Sequence, residues 1–146
     1  HHFLGMYGDG RSAVVFTRGN QYGHLVLRGG GGRPNYDTVS IMLAEKALEK
    51  AGLPARIVVD CSHANSMKNH RLQPFVLHDC LTQIANGSKS ICGIMLESNL
   101  SEGNQKIPDD LSELKYGVSV TDACIDWETT ESVLTKSAEF LRRLNV

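Results

Sequence analysis

No run of apolar residues in this chain approaches the ~20 needed to carry a helix across a bilayer, which argues against a membrane-spanning role. No sign of charge dominates either. Lys and Arg number 15 against 16 Asp and Glu, a formal net charge of −1, so the balance gives no electrostatic reason to expect nucleic acid or an anionic membrane as partner. No secretory signal pattern opens the sequence. Of four cysteines (Cys61, Cys80, Cys92 and Cys124) none stand as a CxxC pair, which argues against a zinc ribbon. They read as small buried hydrophobes in a reducing compartment, which points to the cytoplasm. Linkers and low-complexity stretches are lacking as well. The first residue is His1 rather than Met; His1 and His2 read either as a tag remnant or as native residues of a longer chain.

What is present is one domain's worth of sequence at most, 146 residues with 41% hydrophobic and 21% charged content, the composition of an ordinary globular protein. Residues 3–18 predict a β-hairpin around the turn Gly8-Asp9-Gly10-Arg11. A strand, a polar loop and a helix then follow three times. His24–Leu27 precedes a helix over about 38–51, with Asp37 as N-cap, Val39, Leu43 and Ala47 inward, and Gly52 and Pro54 at its end. Arg56–Val59 precedes a helix over about 71–86, with Leu77, Leu81 and Ile84 inward and Pro74 in its first turn. Ile91–Leu96 leads through the loop 98–118 and a short extended piece, Val118–Val120, to a helix over about 128–144 with Leu134, Ala138 and Leu141 inward. Such alternation predicts a parallel sheet with right-handed crossovers. Strands apolar at every position predict cover on both faces. An open doubly wound sheet and the last units of a TIM barrel both fit, since three strands cannot close a barrel that needs eight.

Three polar clusters end hydrophobic runs: Asp60-Cys61-Ser62-His63, Glu97-Ser98-Asn99 and Thr121-Asp122-Ala123-Cys124. Taken singly each has a bland reading. A lone histidine is usually a surface or satisfied core residue, a glutamate after a strand marks its exit to solvent, and an Asp after Thr caps a turn. Jointly His63, Glu97 and Asp122 stand about one βα unit apart and predict convergence at one end of a parallel sheet. One imidazole and two carboxylates suit Mn²⁺, Fe²⁺ or Zn²⁺ better than a calcium cage. Arg28 precedes four glycines. Arginine offers a planar fork to phosphate oxygens and glycines let backbone amides approach an anion, so this loop predicts a phosphorylated ligand; a flexible surface loop is the plain alternative. Its spacing is neither that of a P-loop nor of a dinucleotide fingerprint. Lys68, Lys106 and Lys115 read first as solvated lysines, His70 and His78 as helix-surface residues, and Trp127 as a packing anchor for the last helix.

Taken in order, Gly23–Gly30, Pro34-Asn35-Tyr36, Asp60–Ser66, Met95–Leu100, Glu102-Gly103-Asn104-Gln105 and Ser119–Ile125 closely resemble the C-terminal half of class I 3-deoxy-D-arabino-heptulosonate 7-phosphate synthase. The resemblance covers essentially the whole chain and favours His1 as a native residue of a longer protein. It implies an α/β fold, the C-terminal part of a TIM (β/α)8 barrel: residues 21–146 as the last three βα units, residues 1–20 as a β-hairpin extension that helps form a feedback site for an aromatic amino acid. It implies a cytoplasmic transferase of the shikimate pathway, at the head of chorismate and aromatic amino acid biosynthesis. That enzyme condenses phosphoenolpyruvate with erythrose 4-phosphate and water and releases phosphate. Carried onto this sequence, the ligands of one divalent metal (Mn²⁺, Fe²⁺, Zn²⁺ or Co²⁺) fall on His63, Glu97 and Asp122, and the arginine for the phosphoenolpyruvate phosphate on Arg28. The fourth ligand of the family is a cysteine of the N-terminal half, a position Cys61 does not occupy. The 146 residues alone are therefore expected to be inactive, and a homo-oligomer is expected. Two other readings stand: an enzyme like 3-deoxy-manno-octulosonate 8-phosphate synthase, and a non-catalytic half-barrel serving as an interaction module.

Overall fold

The structure is a computed structural model that describes residues 2–144. Two strands, β1 (His2–Met6) and β2 (Ser12–Phe16), form an antiparallel hairpin in register from His2 opposite Phe16 to Met6 opposite Ser12. The turn closes through the Tyr7 amide on the Arg11 carbonyl and the Gly10 amide on the Tyr7 carbonyl, both 2.9 Å. This ribbon is a sheet of its own, and Leu4, Met6, Tyr7 and Phe16 on it are exposed.

The second sheet has three parallel strands in the order β3 (Leu25–Leu27), β4 (Ile57–Asp60), β5 (Ile91–Met95). Helices α1 (Thr38–Lys50), α2 (Gln73–Ala85) and α3 (Trp127–Arg143) follow the strands in turn. The alternation read from the sequence is therefore an α/β arrangement of three βα units. Asp37 caps α1, its Oδ1 accepting from the Val39 and Ser40 amides at 3.1 Å. The helix ends in a Schellman motif: the Gly52 amide reaches Glu49 O and the Leu53 amide reaches Leu48 O, with Gly52 at φ 67. A single 3₁₀ turn, His70–Leu72, leads into α2, and Pro74 sits in its first turn, where a missing N–H costs nothing.

The core gathers Leu27, Ile57, Val59 and Ile91 from the strands with Ile41 of α1 and Val76, Leu77 and Cys80 of α2. Ile57 and Val59 have no exposed surface. The period-2 pleat puts Val26 on the opposite face from Leu27; Val26 is exposed, as is Met95. Two-sided cover of the strands is thus corrected: the core forms on one face, because the helices that follow these strands pack there.

Four further expectations are corrected. On α1, Val39 and Leu43 are 64% and 62% exposed, and the inward stripe is Ile41, Ala44 and Leu48. The helix carries two apolar stripes, and packing on the sheet selects one. On α3, Val133, Phe140 and Leu141 pack inward while Leu134 is exposed. Trp127 is exposed as well, at the first turn of α3, so Asp126 rather than Trp127 fixes that end: its Oδ1 accepts from the Thr129 amide at 2.8 Å. Cys92 is exposed because the β4–β5 register shifts there, so that Ile57 pairs with Ile91 and Val58 with Gly93. The other three cysteines are buried as expected, and burial pushes the Cys80 thiol up to about 12, and the Cys61 thiol up as well. Val118–Val120 forms no strand; Ser119 makes one isolated parallel bridge with Asn104.

Candidate metal centre

The carboxyl end of β4 turns sharply after Asp60. This carboxylate is almost wholly buried, and it accepts from the Ser62 amide at 2.9 Å and from His63 Nδ1 at 2.8 Å. A carboxylate on Nδ1 assigns the proton to that nitrogen and leaves Nε2 with a lone pair. Nε2 faces Glu97 Oε1 at 3.4 Å and Asp122 Oδ2 at 3.7 Å. His63 lies at φ 51, in the left-handed region that a non-glycine residue enters at a cost. The turn over 62–69 holds it there through the Ser66 amide on Ser62 O and the Lys68 amide on His63 O.

Glu97 stands two residues beyond β5 and is held from two sides. The Ser62 hydroxyl donates to Oε2. The side-chain amide of Gln73, fully buried at the start of α2, donates to Glu97 O at 3.0 Å and accepts from the Glu97 amide at 2.8 Å. Asp122 arrives from the loop before α3. The Ile125 amide donates to Glu97 O, Gly103 and Cys124 exchange a pair of backbone bonds, and Asn104 Nδ2 donates to Thr121 O at 2.8 Å. One donor atom each from His63, Glu97 and Asp122 thereby lies within 4.8 Å of the others. The donor set and spacing fit a divalent cation of the Mn²⁺, Fe²⁺ or Zn²⁺ type.

A cavity of about 200 Å³ contains this cluster, and Arg28, Ser62, Ser66, Lys68, His70 and Ala123 complete its wall. The structure thus brings Arg28 to the three predicted ligand residues. Lys68 joins them, while Lys106 and Lys115 are not among the lining residues. None of the four cysteines lines the cavity either. A larger groove of about 600 Å³ between α1 and the 86–90 loop has no comparable donor set.

Several site residues were assigned no role from the sequence, although Asn35, Asn65 and Glu102 stand within the motifs that carry the family resemblance. His70 is not a helix-surface residue: it lines the cavity, and its Nε2 lies 2.8 Å from Glu102 Oε1. Hydrogen bonds from Arg71 and His70 hold the Glu102 carboxyl down at about 2. Gln73 stood in a helical run with nothing to mark it as a clamp. Asn65 is buried, donates to Leu27 O and Asp60 O at 3.0 and 2.8 Å, and accepts from the Asn35 amide at 2.8 Å. Asn35 Oδ1 in turn accepts from the Gly29 amide at 2.7 Å. One asparagine therefore ties the ends of two strands to the Arg28 loop.

Gly29 sits at φ 74, and a Cβ there would lie 2.6 Å from Ala64 Cβ and 2.8 Å from Arg33 O. Gly29→Ala is expected to destabilise the chain by roughly 2–5 kcal/mol, from the left-handed backbone plus overpacking. Gly30→Ala, with open space around its Cβ, is expected to be near neutral. Urea denaturation of both variants checks this, and equal midpoints would remove the steric argument.

The chain is similar to several known proteins. The "Phospho-2-dehydro-3-deoxyheptonate aldolase, Tyr-sensitive" of Salmonella typhimurium is 49% identical over 134 residues, which are 92% of this chain and 37% of that protein. The tyrosine-inhibited phospho-2-dehydro-3-deoxyheptonate aldolase of Schizosaccharomyces pombe is 48% identical over 145 residues, 97% of this chain and 39% of that protein. The structure of the Francisella tularensis phospho-2-dehydro-3-deoxyheptonate aldolase superposes with a TM-score of 0.84 at 43% identity, covering 97% of this chain and 41% of that one. The chain thus spans well under half the length of these relatives. Residues 1–135 match the sequence family described as the DAHP synthetase I family, and with that match across most of its length, this chain belongs to the DAHP synthetase I family.

Proposed function

We propose that these residues form part of an enzyme that condenses phosphoenolpyruvate with erythrose 4-phosphate to give 3-deoxy-D-arabino-heptulosonate 7-phosphate and phosphate. The observation that carries this is the convergence of Arg28 and three metal-type donors on one cavity. In this reading residues 21–146 are the last three βα units of a TIM barrel, and residues 1–20 are a hairpin that serves feedback control by an aromatic amino acid. His63 Nε2, Glu97 and Asp122 hold the divalent metal, Mn²⁺, Fe²⁺, Zn²⁺ or Co²⁺, with a cysteine from outside these residues as fourth donor. When bound, the metal supplies Lewis-acid polarisation of the aldehyde oxygen of erythrose 4-phosphate. Arg28 grips the phosphate of phosphoenolpyruvate through its guanidinium fork and orients C3 toward the aldehyde carbon. Water adding at C2 completes the reaction as phosphate leaves. Asp60 keeps the Nδ1 proton of His63 in place throughout, so that Nε2 stays a donor.

On its own the 146-residue chain is expected to bind but not to turn over. Asp122 is 71% exposed, and a site this open does not exclude water. Calorimetric titration of phosphoenolpyruvate into the Mn²⁺-treated chain is expected to show binding that weakens about tenfold in Arg28→Ala, the scale of one charge-assisted hydrogen bond. Phosphate release with both substrates is expected at background. Binding indifferent to Arg28 would remove the phosphate role, and synthase-level turnover would remove the inactivity.

The exposed residues of the hairpin and of the open sheet face favour self-association, which light scattering tests; a stable monomer would sink it. We place the intact enzyme in the cytoplasm, a reading supported by the absence, among the described residues, of any disulfide and of any helix long and apolar enough to cross a membrane.

A further inference from the structure

Ser62 occupies an unusual position between two of the donor residues. It is buried, and its hydroxyl oxygen accepts the His63 amide while its proton goes to Glu97 Oε2. A serine hydroxyl has one proton to give. One of its lone pairs takes the His63 N–H, and its proton goes to Oε2. Glu97 is then left with Oε1, the oxygen that faces His63 Nε2 at 3.4 Å. Asp60 does the same for the imidazole, occupying Nδ1 at 2.8 Å and leaving Nε2.

From this geometry we infer that Ser62 is a positioning residue that sets the denticity of Glu97: it withholds one carboxylate oxygen from the metal and so keeps a coordination position open for water or substrate. The inference rests on the metal reading above and deepens it. Asp60 and Ser62 lie on the same four-residue turn as His63, so one tight segment decides how many atoms two donor residues present. A free carboxylate on a flexible side chain can bind a cation through one oxygen or through both. The hydroxyl removes that freedom before any cation arrives, so the donor count is a property of the folded chain rather than of the metal.

The test is the number of metal-bound waters, measured by water-proton relaxation with Mn²⁺ and the 146-residue chain. Octahedral Mn²⁺ with three protein donors keeps three waters, and with four it keeps two. Ser62→Ala, which frees Oε2, is therefore expected to lower the bound-state relaxation enhancement by about one third without loss of Mn²⁺ affinity. Ser66→Ala serves as the comparison. It also removes a buried hydroxyl beside His63, one that donates to His63 O at 3.3 Å, but it leaves Glu97 untouched and is expected to keep the wild-type water number. An unchanged water number in folded, Mn²⁺-binding Ser62→Ala would overturn the inference alone. Absence of Mn²⁺ binding in the wild type would overturn the metal reading and this inference with it. Infrared difference spectra of the ¹³C-glutamate-labelled wild type need no variant to fold: a wider splitting of the carboxylate stretches on Mn²⁺ addition marks one-oxygen binding and supports the inference, and a narrower one marks two-oxygen binding and overturns it.

Discussion

Replacing His63 with alanine is expected to lower Mn²⁺ affinity by more than the roughly 10–100-fold that follows loss of a supporting hydrogen bond at a metal site. Its Nε2 is the only nitrogen in the donor set, and both other donor residues are carboxylates. Without it Glu97 and Asp122 have lost the group that stands between them, and Asp122 is largely exposed, so hydrated Mn²⁺ gains little by leaving water. The fold is expected to survive. His63 adds a single side-chain bond, to Asp60, and Asp60 keeps the Ser62 amide. Because position 63 lies at φ 51, His63→Gly is expected to melt higher than His63→Ala, since glycine takes this backbone region without strain. His78→Ala, an exposed change on α2, should leave binding unchanged. Electron paramagnetic resonance of free Mn²⁺ gives the affinities. Wild-type affinity in His63→Ala would show that the cluster is an ordinary surface polar group.

The second large effect is expected at Gln73, a residue that touches neither cation nor substrate in the proposed site. Gln73→Ala leaves the Glu97 amide without its partner, removes one of the two donors to the Glu97 carbonyl, which keeps the Ile125 amide, and opens a void where a fully buried side chain stood. The orphaned amide costs about 1–3 kcal/mol and the void adds to it, so a loss of roughly 3 kcal/mol in stability and of about 10 °C in Tm is expected for a chain of this size. Mn²⁺ affinity falls with it, because Glu97 is no longer fixed at the end of β5. Phe75→Ala, an exposed position on the same helix, is the control for helix content. Calorimetric melting of both variants decides the matter, and a Gln73→Ala Tm within about 2 °C of wild type would show that water replaces the clamp, as it does for accessible polar groups.

Much of this was legible because it is local. Asp37 before a helical run and Gly52-Leu53-Pro54 after it are short-range capping patterns, and both caps are as expected. The order of strands, loops and helices follows from where periodicity changes, and a parallel sheet follows from the alternation. Facing was less legible. On α1 the sequence offers Val39, Leu43 and Ala47 or Ile41, Ala44 and Leu48, and only the sheet beneath decides. Cys92 read as buried because every neighbour in its run is apolar, whereas a register shift turned it outward.

For the site the division is similar. The residue types and their spacing, His63, Glu97, Asp122 and Arg28, are a property of the sequence. Strand ends in a parallel sheet share one edge, which is why four residues spread over some ninety-odd positions were legible as a group. What holds them was not: Gln73, Asn65 and Ser62 act through hydrogen bonds to partners far away in the chain, and buried amides and hydroxyls have no periodicity or spacing to betray them. The sequence by itself therefore determined which donor side chains this chain carries and in what order its elements run. Only the tertiary structure decided which atoms face one another, because donor direction depends on buried partners that long-range packing alone brings within hydrogen-bond reach.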